Sequence, residues 1–268
     1  MDIAGNLYAK FADVIESTKV NNVLFMTVLN HGYLLYIMNM LKSLKPWGLD
    51  KKILLVCLDE KAYTFLHNRG YCAIWADLNT DMTKFREFDS GKEYLTICFF
   101  KFFIILKMLE LGHDVLFTDG DIVYINNPIE HLISFVKNYK DYDIYIQNDT
   151  QSNHASNNLC TGYFFARTNN ITKKRFAITT HIQQTNFYSG TGDQHYLNMY
   201  MKHNLLFKTF PLETHPNGGF LYNNPTVKNN TDCILAHFNW IVGHIKISKM
   251  KEHSLWLLTD DEKNETGA

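Results

Sequence analysis

The stretch VLFTDGDIVYINNP, Val115 to Pro128, decides how this chain is read. Four strand-favouring residues, Val115 to Thr118, stop at Asp119-Gly120-Asp121; an apolar-rich run then resumes and ends at Asn126-Asn127-Pro128. Two carboxylates therefore stand at the C-terminal end of a buried strand, the edge of an open α/β sheet where ligands bind. Such a pair needs a cation, a proton or a basic partner, and hard carboxylate oxygens suit Mg2+ or Mn2+. Gly120 allows close approach between them. An Asp-x-Asp alone is a weak signal, because a solvated turn explains most instances.

Upstream, Tyr94 to Leu111 reads as a helix apolar almost all round, stopped by Gly112. Lys101 sits in mid-helix among Phe99, Phe100, Phe102 and Phe103, either snorkelling to solvent or facing an anionic partner. Earlier still, the apolar runs 22–30, 51–58 and 71–75 alternate with helical patterns at 31–44 and 60–68. That β-α-β-α-β order implies a parallel sheet. Residues 1–20 carry helical spacing, and 79–91 is a polar, charged segment expected to be a mobile loop.

Downstream come a helix at 129–139, strands at 142–147 and 160–167, and a helix at 173–185. Gly162, inside the second of these strands, marks a close approach of backbone or ligand. Ser189 to Asp193 is glycine-rich and opens a helix at Gln194 to Lys202, with Asp193 as its expected N-cap. Residues 205–212 are strand-like, 215–224 reads as a turn-rich loop, and 233–238 is a last short apolar run. The tail beyond Thr259, residues 260–268, reads as solvated and disordered. His237 is the candidate third metal ligand and His244 its reserve, although a histidine there is by itself more often a structural hydrogen-bonder.

Composition bounds the partners. The 268 residues are 46% hydrophobic with a net charge of -1, which provides a large core and no general drive toward nucleic acid. Five cysteines without paired spacing, and no run long enough to span a membrane, set the expectation of a reducing, cytoplasmic setting. A lumenal catalytic domain trimmed from a membrane-anchored protein is the alternative. Without repeats or a linker, one domain over 1–259 is the simplest count.

The segment from Tyr94 to Pro128 resembles the hallmark of the nucleotide-diphospho-sugar transferases of glycosyltransferase family 77. The likeness extends to Thr161-Gly162, Asp193-Gln194, Leu197-Asn198, Phe210-Pro211, Asn217-Gly218 and His237-Phe238-Asn239 with Gly243, Lys246 and Trp256. It implies a GT-A fold, an α/β Rossmann-like and mostly parallel sheet flanked by helices. Residues 22–128 would form the nucleotide-sugar half, and 129–259 the acceptor-binding and site-closing half. It further implies a retaining transferase using a UDP-sugar, with Asp119, Asp121 and His237 holding Mn2+ or Mg2+ and Lys246 neutralising the β-phosphate. Thr27, Val28 and Asn30 would hold uridine with Tyr33 stacked on it, and Lys101, Gly120 and Gly243 would complete the donor site. Gly120 departs from the larger residue of many relatives, so the sugar-side contour is expected to change there. Asp193 and Gln194 would flank the anomeric carbon, with Asp149 a further polar candidate.

Front-face attack is the expected route to retention, against double displacement through a carboxylate. UDP-galactose is the first expected donor and UDP-xylose the next; a glycan or glycoprotein hydroxyl is the acceptor. Two other classes remain in play. Asp119-Gly120-Asp121-Ile122-Val123 also fits a haloacid-dehalogenase-type phosphatase, although that motif normally follows the first strand. A non-catalytic sugar-nucleotide or glycan-binding module is the other.

Overall fold

The computed structural model describes residues 12–78, 81–84, 91–152, 158–186, 191–224, 230–243 and 245–267. The strands in chain order are β1 (Val23–Leu29), β2 (Leu54–Cys57), β3 (Ala73–Trp75), β4 (Asp114–Thr118), β5 (Ile122–Tyr124), β6 (Ile144–Asn148), β7 (Leu159–Ala166), β8 (Phe207–Phe210) and β9 (Leu235–His237). Seven of them form one sheet in the order β3-β2-β1-β4-β7-β6-β8. β1 to β4 pair in parallel, as do β6 and β8, while β7 runs antiparallel to both β4 and β6. The sheet is therefore mostly parallel, as expected, with one reversed strand that the β-α alternation of the N-terminal half could not announce.

Helices α1 (Leu34–Leu44), α2 (Glu60–Asn68) and α3 (Lys92–Glu110) cover the parallel half. Strands buried on both faces read as continuous apolar runs rather than alternating ones. β1 illustrates this: Leu24 and Met26 join a core with Phe102, Ile105 and Leu109 of α3. Val23, Phe25 and Leu29 point the other way, into a core with Leu34, Ile37 and Leu41 of α1. Helices α4 (Pro128–Asn138) and α5 (Asn170–Thr185) follow β5 and β7, and α5 packs against α3 through Phe176 and Phe102, rings 5.7 Å apart.

After Thr118 the chain leaves the main sheet. β5 pairs antiparallel with β9 in a two-stranded ribbon, Ile122 opposite His237. This register places the late histidine beside the acidic pair, although 115 positions separate the two partners, and Phe238 N–H donates to the Asp121 carbonyl at 3.0 Å.

Four expectations are corrected. Residues 215–224 contain a helix, α7 (Gly218–Asn223), whose N-cap Asn217 accepts from Phe220 N–H. The tail folds as α9 (Asp260–Thr266) instead of remaining disordered. There Thr259 and Glu262 form a reciprocal capping box, and Lys42 reaches Glu262 at 2.6 Å. Asp193 is the first residue of the short helix α6 (Asp193–Tyr196), not its cap; Gly192 is the N-cap and supplies no side chain. The helix expected over Gln194–Lys202 becomes a π-turn at Leu197–Met201 and a 3-10 turn at Lys202–Asn204. Most of residues 1–20 and of the 79–91 loop lies outside the described residues, though 12–17 are helical. The described residues form no helix long and apolar enough to cross a membrane.

Candidate active site

The acidic pair lies where β4 ends and the ribbon begins. Asp119 is half-exposed and its backbone N–H donates to the Gly162 carbonyl at 2.7 Å. Asp121 is buried, with His237 Nε2 at 3.3 Å from one carboxylate oxygen and the Lys246 ammonium against the other. One ligand atom from each of Asp119, Asp121 and His237 lies within 4.8 Å of the others. The three residues singled out as metal ligands are thus brought together.

The surroundings fit a divalent cation. Gln147, at the end of β6, faces His237 Nδ1 through its Oε1 at 2.7 Å, and its Nε2 donates to the His215 carbonyl at 3.0 Å. That second bond fixes the amide's orientation, so His237 carries its proton on Nδ1 and turns the Nε2 lone pair toward the aspartates. Gly162 leaves the space they need: a Cβ there would stand 2.3 Å from His237 Cε1 and 2.7 Å from Asp119 Oδ2. The close approach expected at Gly162 is made by these two side chains.

Two buried lysines hold the charges in place. Lys101 reaches Asp119 at 3.1 Å and Asp193 at 2.8 Å, with its ammonium 4.8 Å from the Phe117 ring centroid. It has anionic partners and does not snorkel. Burial alone would depress its pKa, but the Asp119 and Asp193 charges more than reverse this. Lys246, at the start of α8 (Ile245–Glu252), is likewise kept protonated by Asp121 against the cost of its burial. In turn Lys246 and His237 overcome the desolvation of Asp121 and hold its carboxyl far below the usual range. Tyr33 stands within electrostatic reach of Lys246, Asp121 and Asp119, its ring 5.3 Å from that of Tyr36. The Tyr36 hydroxyl donates to the Gly243 carbonyl at 3.1 Å, which fixes the loop that delivers Lys246.

A second polar group adjoins the first. Asp149 accepts from Asn239 Nδ2 and Trp240 Nε1 on one oxygen, and from Gln194 Nε2 on the other, each at 2.8 Å. Three carboxylates, Asp119, Asp121 and Asp193, thus face the two ammonium groups of Lys101 and Lys246, and Asp149 adds a fourth negative charge held by neutral donors. That excess of negative charge is what a divalent cation would offset.

A family model for nucleotide-diphospho-sugar transferases matches residues 48–252. The chain belongs to this family. It is 25% identical to a UDP-galactose:fucoside alpha-3-galactosyltransferase of Dictyostelium discoideum, over 92% of this chain and 45% of that protein. It is 24% identical to UDP-D-xylose:L-fucose alpha-1,3-D-xylosyltransferase 3 of Arabidopsis thaliana, over 58% of this chain and 46% of that one. The chain spans less than half the length of these curated relatives. Its fold is similar to the crystal structure of a glycosyltransferase involved in glycosylation of the major capsid of PBCV-1, with TM-score 0.52 and 11% identity. The likeness covers 87% of this chain and 98% of that one, and the architecture is the GT-A type.

Within this family site, some expected residues take other positions. Thr27 is fully buried in β1, away from any surface that could meet uridine. Asn30 spends both amide hydrogens on the Met82 and Lys84 carbonyls, at 2.7 and 2.9 Å, and so pins the segment after β3. Val28 is part-exposed at the end of β1. Gly120 faces Ile37 of α1, where a Cβ would stand 2.6 Å from Ile37 Cδ1. A larger residue there would press on α1, so packing against Ile37 is one reason for a glycine at this turn. His244 lies outside the described residues. Gln147 went unnoticed because a glutamine ending a strand has no signature of its own. The β6–β7 register shifts between Ile146 and Gln147, at the residue that meets His237.

Proposed function

We propose that this chain transfers a sugar, with retention of configuration, from a UDP-sugar to a hydroxyl of a glycan, in dependence on Mn2+ or Mg2+ held by Asp119, Asp121 and His237. The carrying observation is the three-residue cluster, with a histidine whose tautomer already presents Nε2 to the carboxylates. When bound, the cation would supply Lewis-acid stabilisation of the diphosphate. Lys246 is a fixed, buried positive charge beside Asp121, suited to the negative charge that gathers on a departing UDP. The Tyr33 ring, close to Lys246 and part-exposed, is the candidate platform for uracil.

The carboxylates near Gln194 favour front-face attack over double displacement. Asp193 is buried and bridged by Lys101, and Asp149 is occupied by three donors at 2.8 Å, so neither is a free nucleophile. The Asp149 bond takes the Gln194 amide nitrogen and leaves its carbonyl oxygen as the group that can face positive charge at an anomeric carbon.

Two relatives name a galactose or xylose donor with a fucose acceptor. UDP-galactose is therefore the first proposed donor, UDP-xylose the second, and a fucoside the acceptor. The test is incubation of the protein with each donor, methyl α-L-fucoside and Mn2+, with UDP release followed and the product's anomeric configuration assigned by NMR. A β linkage from the α-linked donor would reject retention; no metal-dependent UDP release with any donor would reject the transferase reading.

A further inference from the structure

We infer that Trp240 is a pre-set platform for a pyranose ring of the acceptor, an inference that rests on the transferase reading above. Trp240 is an exposed aromatic residue beside the site, with half of its surface open to solvent. Its indole is nevertheless held on two sides. The ring N–H donates to Asp149 at 2.8 Å, and Asp149 in turn binds the Gln194 amide at 2.8 Å. The platform is thus one carboxylate away from the residue proposed to face the anomeric carbon.

Gly219 holds one face. A Cβ built there would stand 3.0, 3.0 and 3.1 Å from Cδ2, Cε2 and Cε3 of the indole. Cδ2 is a ring-fusion carbon bonded to both of the others, so a point that close to all three lies above the ring and not at its edge. The backbone at Gly219 therefore backs one indole face, and the exposure belongs to the rest of the ring. Gly218 makes the same region tight: a Cβ would meet the Asn239 carbonyl at 2.0 Å, and Gly218 N–H donates to Asn239 Oδ1 at 2.6 Å.

The backbone carries strain at this point. Trp240 has φ +67, a left-handed conformation that costs a bulky residue about 1–2 kcal/mol. The Asn239 carbonyl, held by the Tyr222 hydroxyl at 3.1 Å, and the Asp149 bonds hold the residue there. An aromatic residue kept exposed at that cost, rigid before any ligand arrives, is arranged for recognition, because little side-chain freedom remains to be lost on binding. Val242, two residues further on, and Ile245, the first residue of α8, are also exposed, at 47% and 46%. A flat apolar face beside hydrogen-bonding groups suits a pyranose, whose C–H face is apolar and whose hydroxyls lie at the rim. A fucoside, with a methyl group in place of a hydroxymethyl, would add apolar contact.

The experiment is a titration of the protein, saturated with UDP and Mn2+, with methyl α-L-fucoside, methyl β-galactoside and methyl β-xyloside, read by saturation-transfer NMR and acceptor KM. The expected result is transfer onto the C–H protons of one ring face of at least one glycoside. Affinity should fall about 10–100-fold in Trp240→Ala and by less in Trp240→Phe, while UDP affinity stays at the wild-type value. Three results would overturn the inference: no glycoside bound by the wild type, equal affinity in Trp240→Ala, or loss of UDP affinity in both variants. If Trp240→Ala weakens UDP-galactose relative to UDP, the platform takes the donor's sugar and the acceptor assignment is wrong. A protein that binds glycosides through Trp240 but releases no UDP would leave the platform standing and remove the transferase reading.

Discussion

Replacing Lys101 by Met removes the cation that joins Asp119 to Asp193. Lys101 is 7% exposed, and its partners stand at 3.1 and 2.8 Å. Breaking a buried ion pair by deleting one partner costs about 3–5 kcal/mol, because the other charge is left buried and unpaired. The Asp119 side chain is 37% exposed and its share is screened, whereas the Asp193 side chain is 8% exposed and bears the full cost. The expected loss is therefore at the lower end, about 3 kcal/mol. For a domain of this size that corresponds to roughly 6–12 °C in Tm. Scanning fluorimetry at pH 7.5 in the absence of metal is the assay. A Tm within about 2 °C of wild type at pH 7.5 would refute the account of Lys101 as the buried link between the two acidic groups.

Gln147→Leu should weaken Mn2+ binding about 10–100-fold with Asp119 and Asp121 untouched, as losing the outer partner of a ligating histidine does; calorimetry at wild-type affinity would show that the His237 tautomer needs no help. Gly120→Ala should cost about 1–3 kcal/mol through overlap with Ile37, yet leave the ranking of UDP-galactose against UDP-xylose unchanged in competition assays; a reversed ranking would place Gly120 at the sugar pocket. His215 is buried against Phe210 and Tyr163, and burial together with the nearby His131 holds its pKa well below 6.5. Below that pH the unfolded chain takes up a proton that the native state refuses, so stability falls by up to about 1.4 kcal/mol per pH unit. Denaturant melts at pH 7.5 and 5.5 should show a smaller drop in His215→Phe than in wild type; an equal drop would place the acid sensitivity elsewhere.

Local patterns carried the parts of the fold that local forces build. The runs around β1, β2 and β4 are apolar because both faces of those strands are covered, and the strand before Asp119 was therefore visible in the sequence. The Asp-Gly-Asp turn, Lys101 and His237 stood out because a charged or imidazole group within an apolar run needs a partner. Which partner it takes is set by register across long separations. Ile122 opposite His237 is one such pairing, and Gln147 beneath His237 is another. The same holds for Gly120 against Ile37 and for the Asn30 amide on Met82 and Lys84. The antiparallel course of β7 is likewise a matter of its pairing with β4 and β6 across the sheet. The helix over Asp260–Thr266 was legible in principle: Thr259 with Glu262 three residues later is a capping box, obscured by a composition typical of solvated tails.

The central claim is that Asp119, Asp121 and His237 hold one divalent cation through which a UDP-sugar is bound. Titration of Mn2+ into the protein in the presence of UDP, by calorimetry with Asp121→Asn as the comparison, tests it most directly, since Asn keeps the shape and removes the charged ligand. The account predicts one Mn2+ per chain in the wild type, with UDP affinity that depends on it. It predicts at least about 100-fold weaker binding in the variant, at or beyond the upper end of what loss of an outer-shell partner costs. Equal Mn2+-dependent UDP affinity in the two proteins would contradict it.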